Sequence, residues 1–347
     1  MRIRFASLFL VAFSLVFSTR AAVAWNTKDH RTFVAHAIEH SPPELASFLR
    51  AHWDEVMRGS VDPDRKFMDT PNHTYHVDDG TRSAPDRVAE LSDALVAMMR
   101  NGAPREKVAY WFGALSHYVS DIDQPLHTSD KDRSENWYHV LFEALGTGFE
   151  SHGEILGLKL DLKVGKALSG STFAYDGRHD AIDDVREWHV ENARWAYGYY
   201  DEIARLYTEK GARDAERLAQ VYRTCFGEAV NDVIDLWAHV FRAAASDPAA
   251  LPPLGDVLVL IVDEKGRISR DGKRLAEKKL ADALRGHASA YVEIDDRCAA
   301  AVRTRIEGLC AAAGVPRVSA VFVPMGPWTS RLFRAVKVHS ASFAEGR

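Results

Sequence analysis

From about residue 26 to 245 the apolar positions return every three or four residues, as helices require. They do so in AHAIEHSPPELASFLRAH, RVAELSDALVAMMR, REWHVENARWAYGYYDEIARLYTEKG and AERLAQVYRTCFGEAVNDVIDLWAHVFRAAA. Trp111, Phe112, Leu115, Tyr118 and Val119 form a further apolar stripe of helical period, the mark of a buried helix. The pattern predicts an all-α domain over residues 25–245. SDPAALPPLGD then stops the last helix, giving a linker over 246–255. Beyond it the pattern changes to VLVLIV, a turn at DEKGR, a short ISRDGK strand and a helix over RLAEKKLADALRG. The strand YVEI, a helix over AAVRTRIEGLCAAAG and the strand VSAVFV follow. Strands alternating with helices predict a small α/β domain over 256–325, followed by a tail over 326–347. The whole chain therefore reads as mostly α.

The N-terminus has a different logic. MRIRF is basic, ASLFLVAFSLVF is apolar, and Ala22-Val-Ala24 supplies small residues at an exit site, which together predict a signal peptide over residues 1–24. The apolar run is shorter than the ~20 residues of a spanning helix. Cleavage after Ala24 makes Trp25 the first residue of an exported chain, periplasmic or secreted. Three arginines leave with the leader, so the formal charge moves from −5 to about −8. An acidic chain lacks the basic footprint of a general nucleic-acid binder, and no stable nucleic-acid complex is expected. Cys225, Cys298 and Cys310 form no CxxC pattern, which argues against a thiolate metal site. Export permits a bridge between Cys298 and Cys310, but both also suit buried thiols of a helix.

The densest chemistry lies in HYVSDIDQPLH, residues 117–127. His117 and Asp121 are four apart, which puts both on one helix face about 5–6 Å apart at Cβ, close enough to share a cation. Pro125 bends or ends the helix, freeing His127 to serve a second ion. Downstream, His139 and Glu143 repeat the four-residue spacing, and upstream lie His30, Asp62, Asp64, His73 and His76. Imidazole and carboxylate without thiolate suit zinc in hydrolytic sites and fit several ions held close together.

The block His117, Asp121, Gln124, Pro125, Leu126, His127 resembles the hallmark of the zinc-dependent phospholipase C family, and the resemblance spans residues 25 to about 243. It implies an all-α fold holding up to three Zn2+ ions. On that resemblance the α-amino nitrogen and carbonyl oxygen of Trp25 and the ring of His30 hold one ion, and Asp121 bridges it to a second. His73 and His117 complete the second, with Asp64 as a ligand or as the carboxylate that activates water. His127, His139 and Glu143 hold the third. The Gly59-to-Asp64 spacing favours Asp64 over Asp62, and the His-x-Tyr order favours His73 over His76. Asp62 is expected to cap a turn around Pro63, and His76 to lie on the surface. The implied activity is hydrolysis of a phosphodiester, the substrate being a phospholipid met through peripheral membrane contact.

Two departures shape the expectation. Positions matched to a choline-binding pocket carry Lys28, Arg65 and Thr70, which predicts that a cationic head group is disfavoured. The C-terminal domain resembles the periplasmic domain of ExbD/TolR-type transport proteins, in DEKGRISRDGKRLAEKKLADALR, VEIDD and AAAGVPRVSAVFV, and so implies docking to an envelope component. An unrelated cap packed on the helical domain is the other reading. Two further functions compete. One is a secreted zinc nuclease for single strands, favoured by the short Trp25-to-His30 spacing and disfavoured by the twelve-residue step from His127 to His139. The other is a non-catalytic envelope protein with structural zinc, which a spare carboxylate such as Asp64 argues against.

Overall fold

The structure, a computed structural model, describes residues 25–132, 135–147, 150–155, 158–163, 175–209, 214–245, 257–298 and 300–324. The leader, the 246–255 linker and the 326–347 tail expected from the sequence lie outside the described residues.

The fold is mostly helical with a small C-terminal sheet domain. Helix α1 (Thr27–His40) starts where the Asn26 side chain accepts the backbone N–H groups of Lys28 and Asp29. It buries His30, Phe33, Val34, Ala37 and Ile38, one stripe of its surface. Prolines 42 and 43 end it and open α2 (Pro43–Ala51), which is followed by α3 (Trp53–Gly59). Helices α4 (Ala84–Arg100) and α5 (Arg105–Ile122) form the centre, and α5 is buried on almost every side from Val108 to Ile122. Then come α6 (Glu135–Ala144), a hairpin of β1 (Glu150–Ile155) and β2 (Leu158–Lys163), α7 (Val185–Tyr197), α8 (Tyr200–Thr208) and the long α9 (Ala215–Ala245). The β1–β2 hairpin is a small sheet element within the otherwise helical part. The stretch expected as one run from REWHV to TEKG breaks at Gly198 and Tyr199 into α7 and α8.

Two glycines decide how closely α3 approaches α5. A β-carbon on Gly113 would sit 2.1 Å from the Val56 carbonyl oxygen, and one on Gly59 would sit 2.0 Å from that of Tyr110. Only glycine at both positions lets the two backbones touch.

The C-terminal sheet has the order β5-β4-β3-β6-β7, built from β3 (Val257–Val262), β4 (Ile268–Arg270), β5 (Lys273–Arg274), β6 (Ser289–Asp295) and β7 (Arg317–Val323). Strands β3, β6 and β7 run parallel, as crossover helices α10 (Glu277–Leu284) and α11 (Ala300–Ala312) require. ISRDGK is not one strand but a hairpin. Asp271 and Gly272 both have positive φ (50° and 73°), and Arg270 pairs with Lys273 across them.

Both faces of this sheet are covered. Leu258, Leu260, Val262, Val292 and Ile294 pack in a core with residues of α10 and α11, while Tyr291, Val321 and Val323 join the core of the helical part. Trp111 Nε1 donates to the Tyr291 hydroxyl at 2.8 Å, and that hydroxyl donates to Glu293 at 2.9 Å. Helix α4 also seals the β7 edge, where Asn101 donates to the Val318 carbonyl at 3.0 Å and Arg87 to that of Phe322 at 3.1 Å. The sheet and the helical part thus share one apolar core. Cys225, Cys298 and Cys310 are all free and buried.

Candidate metal centre

Five segments deliver side chains to one buried region. Helix α1 brings His30, and a π-helical turn over Pro63–Phe67 brings Asp64. His73 follows the 3-10 turn Thr70–Asn72, and α5 brings His117 and Asp121 from its last two turns. His127 closes the 3-10 turn Pro125–His127, which Pro125 starts, and α6 brings His139 and Glu143.

The ligand-type atoms gather in three groups, each within 4.8 Å: His30, Asp64 and His117; His73, His117 and Asp121; and His127, His139 and Glu143. Asp121 faces three imidazoles, with Oδ1 at 3.4 Å from His30 Nε2 and Oδ2 at 2.8 Å from His73 Nδ1 and 3.3 Å from His117 Nε2. Asp64 lies 3.5–4.0 Å from the same three nitrogens. The third group turns on His139 Nε2, 2.8 Å from Glu143 Oε1. Trp25 is fully buried and donates its indole N–H to the Ser120 carbonyl at 2.6 Å, anchoring the chain beside Asp121.

Each imidazole has its outer nitrogen tied to an oxygen, which turns the other nitrogen inward. His117 Nδ1 meets the Ser60 carbonyl at 2.8 Å, a carbonyl placed by the α3–α5 contact, and His127 Nδ1 meets that of His73 at 2.9 Å. His73 Nε2 meets Asp69 at 3.0 Å, His139 Nδ1 meets Glu135 at 3.1 Å, and His30 Nδ1 lies 3.3 Å from the Ser120 hydroxyl. Outer partners of this kind fix tautomer and ring orientation in metal sites. Asp69 and Glu135 escaped the sequence reading. Each stands four residues before a ligand-type histidine, and that spacing is the signal by which they could have been found.

Burial and the facing charges divide the site's groups in their protonation. Burial, with the nearby His117, lowers His30 to about 3, and burial lowers His127 to about 4, so both rings are neutral near pH 7. Burial also works against charge on His73 and His139, yet their carboxylate partners outweigh it and carry each to about 9. Burial pushes Glu143 up to about 8 despite His139. Burial opposes charge on Asp121 too, but His117 and His30 hold it well below the ordinary carboxylate range. His30 Nε2 and Asp121 Oδ1 are buried without a hydrogen-bond partner. Buried polar atoms are rarely left so. With a donor set of imidazole nitrogen and carboxylate oxygen, the residues present fit zinc.

The remaining expectations divide. Asp62 does not cap the Pro63 turn: it is buried and holds Lys66 at 2.6 Å and the Tyr110 hydroxyl at 2.9 Å. His76 is not on the surface either, being 5% exposed and paired with the Thr81 hydroxyl at 3.2 Å. Lys28 and Arg65 are exposed, and Arg65 reaches the Thr27 hydroxyl at 3.4 Å, so both cations flank the start of α1. Thr70 is half-buried.

Fold and site together define a helical domain with clustered nitrogen and oxygen ligands of the kind that could hold metal ions. Residues 29–199 match the family model of zinc dependent phospholipase C. Among solved structures, the chain is similar to the alpha-toxin of Clostridium perfringens from the avian strain SWCP, at 13% identity and a TM-score of 0.44, over 64% of this chain and 65% of that one. It is similar also to the alpha toxin of Clostridium absonum, at 15% identity and a TM-score of 0.44, over 66% of each chain. The chain thus spans just under two thirds of either structure. No curated protein matches it.

Proposed function

We propose that the protein is an exported zinc-dependent phosphodiesterase, a phospholipase C that cuts the glycerol-side phosphodiester of phospholipids with an activated water. The observation that carries this reading is the contrast between two carboxylates facing the same imidazoles. Asp121 is fully buried, whereas the side chain of Asp64 is 10% exposed. A closed structural site needs no second, accessible carboxylate. The family match of residues 29–199 supports the same class of chemistry.

Zinc held by these residues would polarise phosphoryl oxygens and lower the pKa of water to about 7. The chain's own residues do the rest. Although burial works against its charge, His117 and His73 keep Asp64 ionised, so at neutral pH it can orient a water and accept its proton. Asp121 links the ligand groups of His30 and of His73 with His117. A free α-amino group on Trp25, released by cleavage after Ala24, would complete the His30 position. Lys28 and Arg65, exposed beside α1, would favour a neutral or anionic head group over choline. Among the described residues no helix is long and apolar enough to cross a membrane; the contact with lipid that we propose is peripheral.

The test is metal analysis of the protein beginning at Trp25, with turnover measured side by side on phospholipid vesicles of differing head group and on single-stranded nucleic acid. Two to three zinc ions per chain and faster turnover of phospholipid are expected. Faster turnover of nucleic acid would replace the lipase by a nuclease, and zinc without turnover of either would leave a structural role.

A further inference from the structure

Arg87, on α4, is only 4% exposed and stands where three elements meet. Its guanidinium carbon lies 5.3 Å from the centre of the Tyr118 ring and 6.0 Å from that of Trp111. One arm donates to the Phe322 carbonyl of β7 at 3.1 Å, and the other reaches Glu90 at 3.4 Å. Tyr118 continues the connection inward. Its hydroxyl donates to Asp69 Oδ2 at 2.8 Å, Asn72 donates to the same oxygen at 2.8 Å, and Asp69 Oδ1 holds His73 Nε2 at 3.0 Å. His73 Nδ1 then faces Asp121 at 2.8 Å.

Burying a guanidinium is costly unless its contacts repay the loss of water. The sheet does not need Arg87 merely to stay docked, because Asn101 to Val318, Trp111 to Tyr291 and Lys107 to Glu293 already hold it. What Arg87 adds is a link from β7 to the Tyr118 ring. A cation over a tyrosine face restrains the ring, and in a low-dielectric interior that attraction is strengthened. We propose that Arg87 is a positioning residue: held by the C-terminal sheet, it holds Tyr118, and through Tyr118 and Asp69 it sets the orientation of His73. The cap domain thereby becomes part of the apparatus that shapes the ion position of His73. This rests on the zinc reading of the centre.

The experiment is zinc affinity by competition with a chromophoric chelator, together with the visible absorption of the Co2+-loaded protein, for wild type, Arg87→Met, Arg87→Lys, Tyr118→Phe and Arg87→Met with Tyr118→Phe. Partners outside the ligand shell are worth about 10- to 100-fold in metal affinity, and two side chains intervene here, so Arg87→Met is expected to weaken one ion by roughly tenfold. Arg87→Lys, which keeps the charge but cannot reach Phe322 and Glu90 with two arms at once, should fall between. In the Tyr118→Phe background Arg87→Met should cost much less, which a general loss of stability would not produce. A folded Arg87→Met protein with wild-type affinity and Co2+ spectrum would overturn the proposal, as would a loss undiminished by Tyr118→Phe. Wild-type affinity in Arg87→Lys would remove the sheet from the chain of positioning. Should Arg87→Met not fold, Arg87→Lys and Tyr118→Phe must each weaken one ion for the proposal to stand. A wild-type protein that takes up no zinc would instead sink the reading of the centre itself.

Discussion

Replacing Gly113 by alanine is expected to damage stability and metal binding together, although the residue touches no ligand. The new β-carbon would lie 2.1 Å from the Val56 carbonyl oxygen and 2.9 Å from the Ser60 nitrogen. Carbon–oxygen contacts settle near ~3.3 Å, so α3 must retreat from α5 by roughly 1.2 Å. The opposing atoms are backbone, and no side chain can swing aside. A retreat along that line stretches the 2.8 Å contact between the Ser60 carbonyl and His117 Nδ1 to about 4 Å, beyond hydrogen-bond range. Overpacking costs about 1–3 kcal/mol and the lost hydrogen bond about 1, while alanine returns up to about 1 kcal/mol of helix propensity. The net is about 2 kcal/mol, a fall in Tm of about 4–8 °C for a domain of this size. Freed at its outer nitrogen, the His117 ring can turn, and zinc affinity should drop by about tenfold or more. Thermal melts of the zinc-loaded protein and chelator competition measure both effects. Gly227→Ala is the control: it lies within α9 and a β-carbon there meets nothing within 4 Å, so a small gain in Tm is expected. Gly113→Ala with wild-type Tm and zinc affinity would refute the reasoning.

Asp121→Ala should release more zinc than any other single ligand change, because only Asp121 is proposed to serve two ions; full zinc content by metal analysis would remove the bridging role. Asp64→Asn should keep metal better than rate if Asp64 works chiefly on water, and equal losses of both would make it mainly a ligand. A chain with one extra residue before Trp25 should bind zinc more weakly at the His30 position, since an amide nitrogen's lone pair is delocalised into its carbonyl; undiminished zinc and turnover would count against the α-amino ligand. In the metal-free fold His73 and His139 carry pKa values near 9 against 6.5 when exposed, so their protonation stabilises that fold below pH 6.5 and the benefit is lost by pH 9. Zinc needs the same nitrogens free. The gap in Tm between zinc-loaded and EDTA-treated protein should therefore widen from pH 6.5 to 9, and a constant gap would contradict the assignment.

Local chemistry made much of this molecule readable in advance. The four-residue steps from His117 to Asp121 and from His139 to Glu143 are properties of a helix, and Pro125 announces the turn that carries His127. Period-two and period-3.6 patterns likewise separated the C-terminal sheet from the helices before it. What stayed hidden depends on long-range meeting. Asp69 gains its meaning only when Tyr118 arrives from another helix, and Ser60 offers merely a carbonyl, which leaves no trace in side-chain identity. His76 looked like a surface residue because nothing local says that Thr81 will fold back against it. The Asp271-Gly272 turn is legible locally, because Asp-Gly is a pair suited to positive φ.

The shared core of the helical part and the sheet also governs the order in which this chain can become safe from itself. Trp111 waits for Tyr291 across 180 residues, and Arg87 waits for Phe322 across 235. During synthesis the outer face of α4 and α5 is complete long before its cover exists, and contacts so distant in sequence form late. A chain cut short after α9 and before β3 would retain every ligand-type side chain of the centre and yet keep that apolar face bare, the condition under which partly made proteins aggregate or are destroyed. Strands β6 and β7 thus close, late in synthesis, a face that the helices made before them leave open.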